Sequence, residues 1–262
     1  MSRIRLTITL EQKILRYLDS IVDKKKIRNR SHAIEYVLNK YFSPKISQAL
    51  VLSAGESCNE KVCRAMQKVN KKPALHNIVE KLTDFGISHI IMVVGNGDKQ
   101  IREYFGDGSE FGVAISYQKQ KDPGSGTARA IFSAKNNFDN QPFILWYGDV
   151  WADIDLNDLV QTHLKEKKMA TMALTSIKEP GGWGVVGLSG LSVVSLLEKP
   201  GKVDHNSYLI NAGIYVLDPK LLDNIKKDTI SFEREILPIL IRDNKLCGYV
   251  FAGRWQDVGK DD

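Results

Sequence analysis

The sequence predicts an α/β protein with a mostly parallel sheet covered by helices, preceded by a small strand-helix-helix module. Three observations point there. From Ala49 onward, short apolar runs alternate with amphipathic segments, the rhythm of parallel strands joined by helical crossovers. Small, flexible residues follow several of those runs, as in Ala54-Gly55, Pro123-Gly124-Ser125-Gly126 and Gly148-Asp149. Charge is also divided unevenly. Residues 1–45 hold eleven Lys/Arg and four Asp/Glu, a net of +7, whereas the rest holds 26 basic and 27 acidic residues.

The N-terminal module comes first. Arg3 to Thr9 alternates, with Ile4, Leu6 and Ile8 on one side and Arg3, Arg5, Thr7 and Thr9 on the other, the pattern of a strand with one apolar face. Thr9, with Gln12 at the reciprocal position, reads as the cap of a helix carrying Ile14, Leu15, Leu18, Ile21 and Val22. Ser31 reads as the cap of a second helix carrying Ala33, Ile34, Val37, Leu38 and Tyr41. Ser43-Pro44 ends it. One strand and two helices of this size cannot bury a core alone, so a homodimer is expected, with two strands paired into a ribbon. The ribbon's polar face would carry Arg3, Arg5 and Thr7 twice. Such a ribbon fits the major groove of duplex DNA, where Arg is the commonest reader of guanine. The concentrated positive charge points the same way.

Residues 44–48 read as a linker and 49–262 as the second domain. Strands are expected at Ala49 to Ser53, His89 to Val94, Ala114 to Tyr117 and Phe143 to Tyr147. Helices are expected at Leu75 to Phe85, near Gln100 to Phe105, at Thr127 to Lys135 and at Leu156 to Glu166. In such sheets, ligands belong at the carboxyl ends of the strands. Asp149 follows the strand expected at Phe143 to Tyr147, and Asp257 lies near the C-terminus in Trp255-Gln256-Asp257-Val258-Gly259. A lone Asp after a strand is ordinarily a turn residue or a cap. Two that met would hold a hard divalent cation, and the sequence leaves open whether they meet.

No stretch is long and apolar enough to span a membrane, and no signal-peptide core opens the chain. Cys58, Cys63 and Cys247 form no CxxC pair, and no His stands beside the first two. Three free thiols in a reducing, cytoplasmic setting are therefore expected.

Residues 2–43 resemble the ribbon-helix-helix family of DNA-binding proteins in order, length and pattern. That resemblance implies dimerisation and phosphate contacts from Asn29, Arg30 and Ser31 at the start of the second helix. Residues 49–259 resemble the sugar-1-phosphate nucleotidyltransferase family, with its Rossmann-like, mostly parallel sheet. Six pieces match in order: Leu52 to Gly55, Ala65 to Leu75, Gln118 with Gly126 to Ala128, Gly148 to Val150, Leu197 to Pro200 with Asn211 to Leu217, and Trp255 to Gly259. The resemblance implies nucleotide contacts from Ala54, Gly55, Gln118, Gly126, Thr127 and Gly148, sugar contacts from Glu198 and Asn211, and neutralisation of the sugar phosphate by Lys199. It implies Mg2+ on Asp149 and Asp257. Lys199 as a plain surface residue and Asn211 as a turn former remain the alternatives.

The chain departs from that family where the triphosphate is cradled. Its loop reads AGESCNEKVCRAM, is shorter, and lacks the family's GxGTR core, and Arg64 stands where the family carries Lys. PGSGTA carries one residue more than the family's base-reading loop, and the sequence ends three residues after Gly259. Losing positioned donors at developing charge costs orders of magnitude in rate. Two functions follow. In the first, the second domain binds a nucleotide or nucleotide sugar as an effector and regulates transcription through the DNA-binding module. In the alternative, it is an active sugar-1-phosphate nucleotidyltransferase tethered to DNA, in which Arg64, Lys61 or Lys72 replaces the family's loop Arg and Arg64 joins Asp149, Asp257 and Lys199 in the catalytic set.

Overall fold

The computed structural model describes residues 7–25, 27–42, 46–54, 63–96, 98–120, 126–201 and 207–258. The chain divides into two compact units, Met1–Lys45 and Ile46–Asp262.

The first unit contains α1 (Gln12–Ser20) and α2 (Arg30–Phe42). Both expected helices are present, but neither is capped as expected. Glu11, not Thr9, occupies the position before α1, and its side chain makes no capping bond. Asn29, not Ser31, serves α2: it directly precedes the helix, and its Oδ1 accepts from the His32 N–H at 2.9 Å, whereas Ser31 already lies inside the first turn. Of the expected strand, Arg3 and Arg5 lie outside the described residues. Thr7 is exposed and belongs to no strand.

In the second unit, β1 (Gln48–Ser53) leads to two-residue strands β2 (Lys68–Val69) and β3 (Lys72–Pro73), then α3 (Ala74–Phe85), β4 (His89–Val94), α4 (Asp98–Phe105), β5 (Ala114–Lys119), α5 (Thr127–Ser133), β6 (Phe143–Tyr147) and β7 (Val150–Ala152). After them come α6 (Leu156–Glu166), β8 (Ala170–Ser176), β9 (Gly184–Ser189), β10 (Ser192–Glu198), β11 (Leu209–Leu217), a π-helical turn (Phe232–Ile236), α7 (Leu237–Arg242), β12 (Leu246–Val250) and β13 (Trp255–Asp257). Gln48, expected in a linker, is the first residue of β1. Its side chain bonds to the Asn137 carbonyl and the Asp139 N–H, and Ile46 is in the core.

The main sheet has nine strands in the order β5-β4-β1-β6-β11-β8-β12-β10-β9. Successive side chains of a strand face opposite sides, and here both sides are covered. Ala49 and Val51 of β1, and Ile144 and Trp146 of β6, pack with Leu75, Ile78 and Leu82 of α3 and Leu159 of α6. Leu50 and Leu52, with Phe143 and Leu145, pack instead with Ile131 of α5 and Leu237 and Leu240 of α7. Continuous apolar strands such as LVL and FILW are what a sheet buried on two faces requires.

The sheet is mixed rather than mostly parallel. β5, β4, β1 and β6 run parallel, as does β12 beside β8. β11 pairs antiparallel with β6 and β8, β10 with β9 and β12. The crossover rhythm holds through α6. Beyond it, β9 and β10 join through a tight turn at Gly190-Leu191, and a hairpin makes its strands antiparallel. Among the described residues, no helix is long and apolar enough to cross a membrane. Cys63 is disulfide-bonded and Cys247 is free and buried, which corrects the expectation of three free thiols.

Candidate active site

At the carboxyl end of β6, the chain forms a cavity of about 400 Å³, a size suited to a small ligand. Its walls come from segments far apart in sequence. Tyr147 ends β6 and Asp149 follows it, Glu198 ends β10 and Lys199 follows it, and Asn211 to Gly213 belong to β11. Asp257 comes from β13, Arg64 from the turn before β2, and Gly126 and Thr127 from the start of α5.

The question left open by the sequence has an answer. β13 pairs antiparallel with β7 so that Asp257 stands opposite Val150, and the Val258 N–H donates to the Asp149 carbonyl at 2.8 Å. The two acidic residues therefore enter the cavity side by side. Burial, and then the Asp257 charge, lift the Asp149 carboxyl from the ordinary carboxylate range to about 6, against the opposing pull of Arg64 and Lys199. Asp257 is held in turn by Trp183, whose Nε1–H donates to Oδ2 at 3.3 Å, and Trp183 packs edge-on against Trp255 at 5.9 Å.

The sugar-side candidates line the same cavity. β11 bulges between Asn211 and Tyr215, with Gly213 at φ 72°, and a bulge re-aims the side chains beside it. Asn211 Oδ1 accepts from the Gly213 N–H at 3.0 Å, and Trp255 Nε1–H pins the bulge through the Ala212 carbonyl at 3.0 Å. Lys199 is one of the few non-glycine residues in the left-handed region, at φ 50°, with its ammonium 4.0 Å from Glu198 Oε1. That conformation is costly for a residue with a Cβ and collects at sites where the side chain's direction matters.

The nucleotide-side candidates divide. Gly126 and Thr127 line the cavity, and a Cβ at Gly126 would stand 2.1 Å from the Ile230 carbonyl oxygen, so only glycine fits. Gly148 is buried against β1, its N–H donating to the Leu52 carbonyl at 2.8 Å, and it does not line the cavity. Ala54 and Gln118 are half-buried and also stand outside the lining. Gly55 and the shortened loop that follows it lie outside the described residues. Reasoning from sequence missed Tyr147, Trp183, Trp255, Glu233 and Arg234, all in the lining. The Trp-Gly pair at 183–184 and the Trp preceding Gln256-Asp257 were legible signals for two of them.

Among the DNA-contact candidates, Arg30 is engaged inside its own unit. Its guanidinium donates to both Asp19 carboxylate oxygens at 2.6 and 2.9 Å. Asn29 is occupied as the α2 cap, and Ser31 is exposed.

The profile of the Nucleotidyl transferase family matches residues 59–262. A mannose-1-phosphate guanyltransferase beta-B of Xenopus laevis is 31% identical over 194 residues, 72% of this chain and 53% of that protein. The mannose-1-phosphate guanylyltransferase catalytic subunit beta of Drosophila melanogaster is 31% identical over 193 residues, 72% of this chain and 52% of its own. The chain thus spans about half the length of the curated relatives it matches. A UDP-glucose pyrophosphorylase from Acinetobacter baumanii superposes with a TM-score of 0.69 at 18% identity, covering 82% of this chain and 89% of that one, a likeness of fold. These findings overturn the expectation of an effector-binding transcription regulator, because the sequence relatives are named as guanylyltransferases and not as DNA-binding proteins. Nothing in them supports a ribbon-helix-helix segment or a DNA partner.

Proposed function

The chain belongs to the nucleotidyl transferase family, and we propose that it joins a nucleoside triphosphate to a sugar 1-phosphate, releasing pyrophosphate. A phosphate oxygen of the sugar 1-phosphate attacks the α-phosphorus of the triphosphate. The new P–O bond forms as the bond from the α-phosphorus to the bridging oxygen breaks, and the pair of electrons leaves with pyrophosphate. The observation that carries the reading is one cavity in which Asp149 and Asp257 meet Lys199, Arg64, Glu198 and Asn211.

Both reactants are anions, so the attack needs positive charge where they meet. Lys199 and Arg64 supply two cations. The carboxylate pair supports a third, since Mg2+ binds through one or two carboxylates and substrate phosphates and keeps several waters. Asp149 and Asp257 together are an oxygen donor set suited to a hard divalent cation, and they would hold it. When bound, the ion neutralises charge on the phosphates. Glu198 and Asn211 bind the sugar and orient its phosphate, Lys199 neutralises that phosphate, and Gly126 and Thr127 border the nucleotide. The relatives' names make GTP and mannose 1-phosphate the first pair to assay. The test is pyrophosphate release from this and other triphosphate and sugar 1-phosphate pairs. Absence of release from all of them rejects the reading.

The first unit supports a further expectation, that the chain is a homodimer. Among its described residues, only Leu18 and Ala33 are buried, while Ile8, Ile14, Tyr17, Val37 and Leu38 are exposed, Tyr17 by 63%. Two helices that bury so little do not hold themselves together. A second copy covers this face by presenting the same one, as two-fold symmetry allows. Light scattering at micromolar concentration should give twice the chain mass of 29.5 kDa. A monomer refutes the expectation.

A further inference from the structure

Ser231, Glu233 and Arg234 reach the cavity from the segment between β11 and α7. Glu233 is the centre of a compact hydrogen-bonded knot. Its Oε2 accepts from Thr127 Oγ1 at 2.7 Å and from Ser231 Oγ at 3.0 Å, and its Oε1 accepts from the Tyr147 hydroxyl. Backbone bonds tighten the same junction. The Phe232 N–H donates to Thr127 Oγ1 at 2.9 Å, and the Ala128 N–H donates to the Ile230 carbonyl at 3.0 Å. Glu235 Oε1 accepts from the Ile230 and Ser231 N–H groups at 2.8 and 2.7 Å, fixing the turn from which Glu233 projects.

The donors belong to different parts of the site. Thr127 opens α5 directly after Gly126, on the nucleotide side. Tyr147 is the last residue of β6, two positions before Asp149. Bonds to an ionised carboxylate are roughly twice as strong as neutral ones.

We propose that Glu233 is a positioning residue that locks the start of α5 to the strand end carrying Asp149, holding the bound nucleotide in register with the acidic pair. The inference rests on the nucleotidyl transfer reading and adds a residue to it. A misplacement of about 1 Å costs about 100-fold in rate, and without Glu233 three hydroxyls lose their common acceptor.

The test compares Glu233→Ala, Glu233→Gln and Tyr147→Phe in the full chain, by steady-state pyrophosphate release and thermal melting. Glu233→Ala should lower kcat about 100-fold and raise the nucleotide KM about tenfold, leaving the sugar 1-phosphate KM unchanged. Glu233→Gln, whose amide accepts from Tyr147 and donates to Thr127, should recover most of the loss. Tyr147→Phe should cost less than Glu233→Ala and add nothing in the double variant, as for residues acting through one bond. A lower melting temperature with kcat and both KM values unchanged overturns the proposal, because the knot is then only structural. A rise in the sugar 1-phosphate KM alone also overturns it, because Glu233 then contacts the sugar. Wild-type turnover is the separate control on the underlying reading. If wild type releases no pyrophosphate, that reading fails, and the lock is judged by calorimetry with Mg-GTP. There, Glu233→Ala must weaken binding about tenfold, and unchanged affinity overturns the lock.

Discussion

Asp149→Asn should abolish turnover and at the same time make the free protein more stable. Burial and the Asp257 charge raise the Asp149 carboxyl to about 6 in the folded chain, against about 4 in an unfolded one. A group with a raised folded pKa binds its proton more tightly when folded. Its contribution to stability is therefore fully present below about pH 4 and is lost as pH rises through about 6. At pH 7.5, ionised Asp149 costs stability, on the order of 1–3 kcal/mol. Asparagine keeps the shape and removes the charge. The melting temperature should rise by several degrees at pH 7.5, and the gain should shrink toward pH 4. Turnover should fall by at least about 1000-fold and its dependence on Mg2+ should disappear, because a neutral amide is a poor ligand for a hard cation. In the wild type, protons compete with the metal, so apparent Mg2+ affinity should weaken below about pH 6. An Asn variant that is less stable at pH 7.5, or that keeps its Mg2+ dependence, contradicts this account.

Lys199→Gly should lose activity without losing stability. Lys199 sits at φ 50°, where glycine carries no Cβ penalty. Its side chain is 62% exposed and its ammonium stands 4.0 Å from Glu198 Oε1, so the side chain adds little to the fold. Relief of the left-handed strain is worth about 1 kcal/mol and offsets glycine's greater unfolded entropy. Thermal melting should therefore be unchanged or slightly raised. Removing a cation aimed at a transferring phosphate typically costs about 100- to 1000-fold in kcat, with a higher KM for the sugar 1-phosphate. A destabilised variant that retains its rate would make Lys199 an ordinary structural residue. Together the two substitutions test whether strain and like-charge repulsion are kept here for chemistry, the usual trade between stability and activity.

Much of the second unit was legible because its strands are buried on two faces. His89–Val94, Phe143–Tyr147 and Leu156–Glu166 lie where the apolar pattern puts them. The antiparallel half was not legible from crossover rhythm, because β9 and β10 turn back through two residues and β11 inserts beside β6. The acidic pair was visible as two motifs. Their meeting depends on the small β7–β13 ladder, which no local pattern announces. Glu233 was invisible for a similar reason: its three hydroxyl donors include two more than 80 positions away. In the first unit, helical periodicity located both helices but not their caps. The second helix starts one residue earlier than a Ser31 cap requires, and Asn29 caps it. The basic charge of that unit was read as a polyanion surface, yet Arg30 is spent on Asp19.

If the cavity around Asp149, Asp257 and Lys199 transfers a nucleotidyl group despite the short loop after Ala54, the full chain turns over. The direct measurement is pyrophosphate release by the full chain with Mg2+, across the common nucleoside triphosphates and a panel of sugar 1-phosphates, with the product nucleotide sugar identified by mass. Pyrophosphate and nucleotide sugar should appear in equal amounts, strictly dependent on Mg2+ and absent in Asp149→Asn. Tight, Mg2+-dependent binding of nucleotide with no pyrophosphate from any pair would contradict it.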